Sequence, residues 1–117
     1  MKELGFTLKY LYKGKPITVI FGTSREKKLA DQLMPLLSVS DTLIATKSQN
    51  PRAQEPKMIL EMAYQLKLRQ PTFMAGNLRE AINMVPKVSE KNSVVVVTGS
   101  LFLVGEAREI LKCPKFI

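Results

Sequence analysis

Blocks of apolar residues alternate with polar segments along the chain and predict strands and helices in turn. The clearest block is 93–98, where four consecutive valines are bounded by polar residues. Such a run is typical of a strand covered on both faces, because burial on both sides removes the need for apolar/polar alternation. We expect it to be a central strand. The next apolar residues are spaced three and four apart, which predicts a helix with one apolar face formed by Leu103, Ala107, Ile110 and Leu111.

The same strand and helix pattern occurs three more times upstream. Strands are predicted at 17–21, 42–45 and 71–74, and the helices after them begin near Leu29, at Pro56 and after Asn77. The 71–74 strand should lie at an edge because its proline cannot donate to a ladder. Pro35 should kink or end the first of these helices early, and Pro86 should end the helix that begins after Asn77. Asn77 and Glu80 resemble a capping box.

A further helix at 2–12 opens the chain, so the order is one helix followed by four strand–helix units. This order predicts an α/β fold, a Rossmann-like three-layer sandwich with a mostly parallel sheet and helices on both faces. A parallel domain seldom begins with a crossover helix, so we expect a first strand to be missing before Met1. Ligands bind beyond the carboxyl ends of such strands, here 22–25, 46–52, 75–77 and 98–100, which should converge on one edge.

Composition narrows the possible functions. The 117 residues suit one domain, 1–117, and the chain has no histidine, one cysteine and two aspartates, which excludes Ser-His-Asp chemistry and a complete zinc or hydrolase site. No apolar run approaches the roughly 18 residues that span a bilayer, so we expect no membrane partner. No signal peptide is visible, so we expect a cytoplasmic location.

The charge points to anionic ligands. Lys and Arg number 18 against 10 Asp and Glu, a formal net charge of +8 that favours phosphates or polycarboxylates. Aromatic residues make up only 7%, and no reader motif interleaves them with a basic stripe, which argues against a nucleic-acid partner.

Three motifs at the predicted strand ends carry a family resemblance. They are VIFGTSREK at 19–27, NPRA at 50–53 with Pro56 after it, and VTGSLFLVGEAR at 97–108. In this order, over essentially the whole chain, they resemble the C-terminal domain of folylpolyglutamate synthase, a family that includes the bifunctional dihydrofolate synthases and is related to the Mur ligases. The resemblance therefore implies a Mur ligase-type glutamate ligase domain.

That family works in folate biosynthesis and one-carbon metabolism. Its members join glutamate to folates in an ATP-dependent, Mg²⁺-requiring ligation through an acyl phosphate. The resemblance implies that the 22–27 loop faces the nucleotide and the cleft between domains, and that the 50–52 loop receives the carboxylate of the incoming amino acid. It assigns no catalytic or metal-binding residue to this chain. The substrate-binding candidates are Ser24, Arg25, Lys27, Asn50, Arg52 and Ser100.

Two departures from the family limit what the chain is expected to do alone. The phosphate-binding loop and the Mg²⁺ ligands of the family lie on an N-terminal domain that this sequence lacks. Also absent is the strand ending in Asp-Gly-Ala-His-Asn-Pro with which the family's C-terminal domain normally begins. We expect the chain to be inactive without an N-terminal ATP-binding domain in cis or in trans. ATP and Mg²⁺ are implied with most of their ligands on that domain, and the expected substrates are folate and glutamate.

Other interpretations stay open at this point. Ser100 is equally suited to capping the last helix. The side chains of Arg25, Lys27 and Arg52 could simply be solvated. Glu106 and Arg108 fit a structural role in that helix. The alternative function is a free-standing, non-catalytic Rossmann-like module that binds a nucleotide or a polyanionic ligand. A missing strand would also leave a sheet edge or face uncovered, so we expect self-association.

Overall fold

A single parallel sheet forms the centre of the protein. The computed structural model describes residues 14–67 and 69–111, so the predicted opening helix at 2–12 lies outside the described residues. The strands are β1 (Ile17–Gly22), β2 (Thr42–Ala45), β3 (Thr72–Met74) and β4 (Val94–Gly99). They pair in the order β3-β2-β1-β4, and every pairing is parallel.

Each described strand is followed by a helix, and the helices cover both faces of the sheet. They are α1 (Leu29–Leu37), α2 (Pro56–Gln65), α3 (Leu78–Val88) and α4 (Leu101–Leu111). On one face, Leu33 and Ile59 from α1 and α2 pack on Val19 and Phe21 of β1. On the other face, the residues that α3 and α4 bring to the sheet include Leu78 and Leu103. The predicted α/β three-layer sandwich is confirmed, and the sheet is parallel throughout the described strands.

The position of β4 differs from the prediction. Within the described part of the chain it pairs with β1 alone and lies at an edge, while β1 and β2 are central. Val96 and Val97 are buried on opposite faces, but Val95 is 38% exposed. The valine run was a sound sign of cover on both faces. The run does not indicate whether both edges of the strand are paired, because strand pairing is made by backbone groups that every residue carries.

Most element boundaries follow the sequence signals. Pro56 begins α2, β3 lies at the other edge, and α1 ends two residues after Pro35. Pro86 does not end α3, however, which continues to Val88. A proline in the last turn removes only one N–H···O bond. Val85 and Val88 pack against the core on either side of it, and that packing favours continued helix.

The cap predicted for α3 is present in a modified form. The side-chain oxygen of Asn77 accepts a hydrogen bond from the Glu80 N–H at 2.9 Å. The Glu80 carboxylate accepts from the N–H of Gly76 at 2.8 Å, one residue before the cap position used in a standard capping box. The first bond satisfies a backbone donor that the first turn of a helix cannot pair internally, and the second pairs the N–H of the residue just before the cap.

Candidate functional site

The loops that follow β1, β2 and β4 enclose a cavity of about 450 Å³ at the carboxyl end of the sheet. Three of the four predicted strand ends therefore converge. The end of β3 does not reach this cavity, and Asn77 borders a separate one of about 340 Å³. The residues that line the larger cavity are Ser24, Glu26, Lys27, Ser48, Asn50, Pro51, Arg52, Ala53, Ser100, Leu101 and Phe102.

Two glycines allow the strand ends to approach each other below the cavity. Gly99 has φ +115°, and a Cβ atom there would lie 2.0 Å from the carbonyl oxygen of Gly22. A Cβ atom on Gly22 would lie 3.0 Å from both the Leu103 side chain and the Thr46 carbonyl oxygen. A side chain at residue 99 would be strained by the backbone angle as well as by the clash. The two glycines thus fix where three loops leave the sheet.

Backbone hydrogen bonds join the loop after β1 (residues 23–28, the first loop) to the loop after β2 (residues 46–55, the second loop). The Arg25 N–H donates to the Arg52 carbonyl at 2.9 Å, and the Gln54 N–H donates to the Thr23 carbonyl at 2.8 Å. Between them Ser24 and Ala53 form an antiparallel bridge. The wall of the cavity is consequently a paired structure, although both segments are irregular.

The Asn-Pro-Arg motif forms a tight turn in the second loop. The Asn50 side-chain oxygen accepts from the Arg52 N–H at 2.8 Å, and the Ala53 N–H donates to the Asn50 carbonyl at 3.0 Å. This is the Asx turn that asparagine favours. The Ser48 hydroxyl supports it by accepting from the Asn50 N–H at 3.2 Å. The motif therefore has a structural role that presents Arg52 beside the cavity.

The three cations proposed from the sequence differ in what they contact. Arg25 does not line the cavity, and its guanidinium Nη2 donates to the Pro51 carbonyl at 2.7 Å. Arg52 lines the cavity and pairs with Glu26, with 2.7 Å between Nη1 and Oε1. Lys27 also lines it and has no ion pair within residues 14–67 and 69–111. Arg25 thus braces the turn, while Lys27 and Arg52 are placed to meet an anion.

Two buried serines contribute hydroxyl groups to the same cavity. Ser100, 8% exposed, caps α4 by accepting from the Phe102 N–H at 3.1 Å and the Leu103 N–H at 3.4 Å. Ser48 is equally buried, at 7%. In these bonds among the described residues the oxygen is the acceptor, so each hydroxyl proton can donate to a ligand. Sequence reasoning missed Ser48, and its only signal was a position two residues before the Asn-Pro turn.

The first turn of α4 and a glutamate further along it complete the surroundings. Leu101 and Phe102 are 87% and 62% exposed and give the cavity an apolar rim. The Glu106 carboxylate accepts from the Gln49 N–H at 2.6 Å and so ties α4 to the second loop. This bond agrees with the structural role expected of Glu106.

The donor set suits an anion and does not suit Mg²⁺. Among the described residues that line the cavity, Glu26 is the one carboxylate, and it is already paired with Arg52. No group of three or more His, Cys, Asp or Glu residues that could hold a metal ion occurs in residues 14–67 and 69–111. Mg²⁺ prefers carboxylate and phosphate oxygens, so this cavity alone does not provide its site.

A search for membrane-spanning helices over the described segments finds none of the required length and apolarity.

Comparisons with known proteins bear on the family and the fold of the chain. Residues 2–112 match the family model described as dihydrofolate synthetase, C-terminal domain. Comparison with curated protein sequences gives no match.

Several solved structures share the fold. Mycobacterium tuberculosis folylpolyglutamate synthase complexed with ADP has a TM-score of 0.82 and 22% identity, over 96% of this chain and 27% of that one. E. coli FolC in complex with DHPP and ADP has a TM-score of 0.82 and 21% identity, over 95% and 25%. The bifunctional folylpolyglutamate synthase/dihydrofolate synthase of Yersinia pestis complexed with AMPPNP and Mn ion has a TM-score of 0.79 and 19% identity, over 96% of this chain and 26% of that one. The chain thus spans about a quarter of each.

Proposed function

Because the chain belongs to the dihydrofolate synthetase C-terminal domain family, we propose that it serves as the C-terminal domain of an ATP-dependent ligase that adds glutamate to folates. In this proposal residues 1–117 form one glutamate ligase-type domain. Its catalytic partner is an N-terminal ATP-binding domain, supplied in the same chain or by another, and the complex acts in the cytoplasm.

The observation that supports this function is the gathering of five of the six candidate residues around one cavity. Lys27 and Arg52 supply positive charge there, and Ser48 and Ser100 supply buried hydroxyl donors. Charge-assisted bonds from a guanidinium to a carboxylate are strong and directional. Under the proposal these groups bind and orient a carboxylate of the incoming glutamate. Asn50 holds the turn, and Arg25 acts on the ligand only through that turn.

The nucleotide and the metal are assigned mainly to the partner domain. The relatives were solved with ADP or with AMPPNP and Mn, which fits a nucleotide- and metal-dependent family. Bound ATP would supply the phosphoryl group that activates the folate carboxylate, and Mg²⁺ would be held by carboxylates that the described part of this chain does not gather. This domain would contribute the cations and hydroxyl groups that bind the amino acid.

The test is ATP-dependent incorporation of labelled L-glutamate into a folate. The 117-residue chain alone should give no product, and mixing or fusing it with an N-terminal ATP-binding domain of the same family should restore ligation. An Arg52→Met substitution should then reduce the restored rate roughly 10- to 100-fold, as expected from the loss of a charge-assisted contact. Arg79→Met, which removes the same charge from the separate cavity, is the control. Turnover by the chain alone, or none with the partner domain, contradicts the proposal.

A second candidate is a free-standing, non-catalytic module that binds a nucleotide or a polyglutamate. It is favoured by the same two cations and two serines, which can hold an anion without any chemistry. Calorimetric titration of the 117-residue chain with ATP and with folylpolyglutamate tests it, and the absence of heat from either ligand at millimolar concentration rules it out.

Self-association is a further proposal, because the outer edge of β4 carries no strand within the described residues. Light scattering should give a mass above 13.2 kDa at high concentration, and a monomer at every concentration contradicts it.

A further inference from the structure

A carboxylate already occupies the arginine that the proposed site offers to its ligand. Glu26 Oε1 lies 2.7 Å from Arg52 Nη1, and both residues line the cavity. Their side chains are 64% and 72% exposed, so the pair stands at the mouth of the cavity and not within its floor. A carboxylate ligand that binds Arg52 through Nη1 therefore competes with Glu26 for that group.

The ion pair is not needed to hold the two loops together. The backbone bonds from Arg25 to Arg52 and from Gln54 to Thr23 already join them, and the Asx turn at Asn50 fixes the second loop internally. Ion pairs this exposed contribute little to folding because water competes for both charges. The position of Glu26 is therefore better explained by the site than by the stability of the loops.

We propose that Glu26 is a resident carboxylate that occupies Arg52 until the carboxylate of the ligand replaces it. This inference rests on the proposed function of the cavity. It makes Glu26 a specificity-determining residue, since a ligand that carries a carboxylate exchanges one charge-assisted hydrogen bond to Arg52 for another. A ligand with a neutral amide in that position must break the pair and offers only a weaker bond in return, so the exchange disfavours it.

The direct test is calorimetric titration of the 117-residue chain with L-glutamate. Removing the resident charge with Glu26→Gln should lower the Kd about two- to five-fold, which is the range expected for an exposed ion pair that the ligand no longer has to break. Glu26→Asp, shorter by one methylene group, should give an intermediate Kd. The melting temperature of each variant shows that it is folded.

The chain offers a matched control for the change in net charge. Glu55 pairs with Lys47 at 3.0 Å on the same second loop, and neither residue lines the cavity. Glu55→Gln therefore removes the same charge from the same surface and should leave the Kd unchanged. In an Arg52→Met background the gain from Glu26→Gln should disappear, because the two substitutions act on one interaction. A purely structural role for Glu26 would not produce that coupling.

The outcomes separate this inference from the function on which it rests. If the wild-type chain binds L-glutamate and Glu26→Gln binds it no more tightly, or more weakly, the resident-carboxylate role is wrong and the proposed site stands. An equal gain in Glu26→Gln and Glu55→Gln would overturn it as well, since net charge alone would then explain the effect. If neither the wild type nor any variant binds at millimolar L-glutamate, the proposed binding site itself is contradicted, and the inference with it.

Discussion

The buried strands and the cavity loops adjoin each other in the chain, yet different interactions hold them. In β1, Val19, Ile20 and Phe21 are completely buried and contact helices on both faces. Two residues further on, the first loop is held by backbone hydrogen bonds to the second loop, and its charged side chains stand in solvent. Apolar burial dominates in the first region and polar pairing in the second.

This difference separates folding from binding within one small domain. Apolar side chains in the sheet cannot be changed without leaving voids, because interiors are close-packed. Charged side chains around the cavity can be exchanged at little cost, because their interactions compete with water. The boundary between the two regions is the contact of Gly22 with Gly99, where the chain leaves the sheet. Four tests, three of them with a control substitution, probe the comparison, from the largest expected effect on stability to the smallest.

Gly99→Ala should have the largest effect on stability, because it alters the contact between Gly22 and Gly99 where the strands end. The added methyl would lie 2.0 Å from the Gly22 carbonyl oxygen in a backbone conformation of φ +115°, so β1 and β4 would have to separate. We expect a loss of about 5 kcal/mol or more in the free energy of unfolding measured with urea. Gly105→Ala in α4 should instead add about 0.5–1 kcal/mol, because among the described residues its new Cβ would meet no atom outside its own helix turn within 4 Å. Equal effects of the two substitutions would refute the close-approach argument.

Leu33→Ala tests the core alone. Leu33 is completely buried in α1 and belongs to the cluster formed with β1, so its truncation should cost about 2–5 kcal/mol of unfolding free energy. Its neighbour Met34 is 57% exposed, and Met34→Ala should change the same quantity by less than about 0.5 kcal/mol. Affinity for L-glutamate should be the same in both variants.

Asn50→Ala and Asn77→Ala compare a cavity turn with a helix cap. Each removes one side-chain oxygen that accepts a backbone N–H, at 2.8 Å in the turn and 2.9 Å in the cap, so each should cost about 1 kcal/mol of unfolding free energy. Only Asn50→Ala should weaken binding of L-glutamate, by about tenfold, because it frees the turn that presents Arg52. A similar loss of affinity in Asn77→Ala would show that the turn has no special role.

Leaving the control substitutions aside, Glu55→Gln should have the smallest effect. It breaks the exposed pair with Lys47, whose two side chains are 61% and 37% exposed, and should change the free energy of unfolding by less than about 1 kcal/mol. A loss above about 2 kcal/mol in urea denaturation would mean that surface charges stabilise the loops far more than water normally permits, and the distinction between the two regions would fail.

The sequence predicted the sheet better than it predicted the site, and the reason is physical. The bounds of β2, Thr42–Ala45, were predicted correctly because a short apolar run lies between turn residues and loop polar residues. The edge position of β4 could not be predicted, because pairing depends on backbone groups that leave no side-chain pattern. The helix end at Pro86 was wrong because tertiary packing of Val88 outweighed a local signal.

Within the site, the sequence identified which residues gather but not what each one contacts. Five of the six candidates line the cavity, since parallel strand ends meet at one edge. Arg25 proved to brace the Pro51 carbonyl, a contact across 26 residues that no local pattern encodes. The pairing of Arg52 with Glu26 also spans 26 residues, and for the same reason only the folded structure reveals it.

The most direct test of the account is an NMR titration of the ¹⁵N-labelled 117-residue chain with L-glutamate. If the cavity receives the amino acid, the largest amide shifts should fall on Ser48, Asn50, Arg52 and Ser100. Amides far from the cavity, such as those of Tyr64 and Val95, should not move. Shifts confined to other surfaces, or none at millimolar L-glutamate, would contradict the claim that this cavity is the amino-acid site of a folate-glutamate ligase.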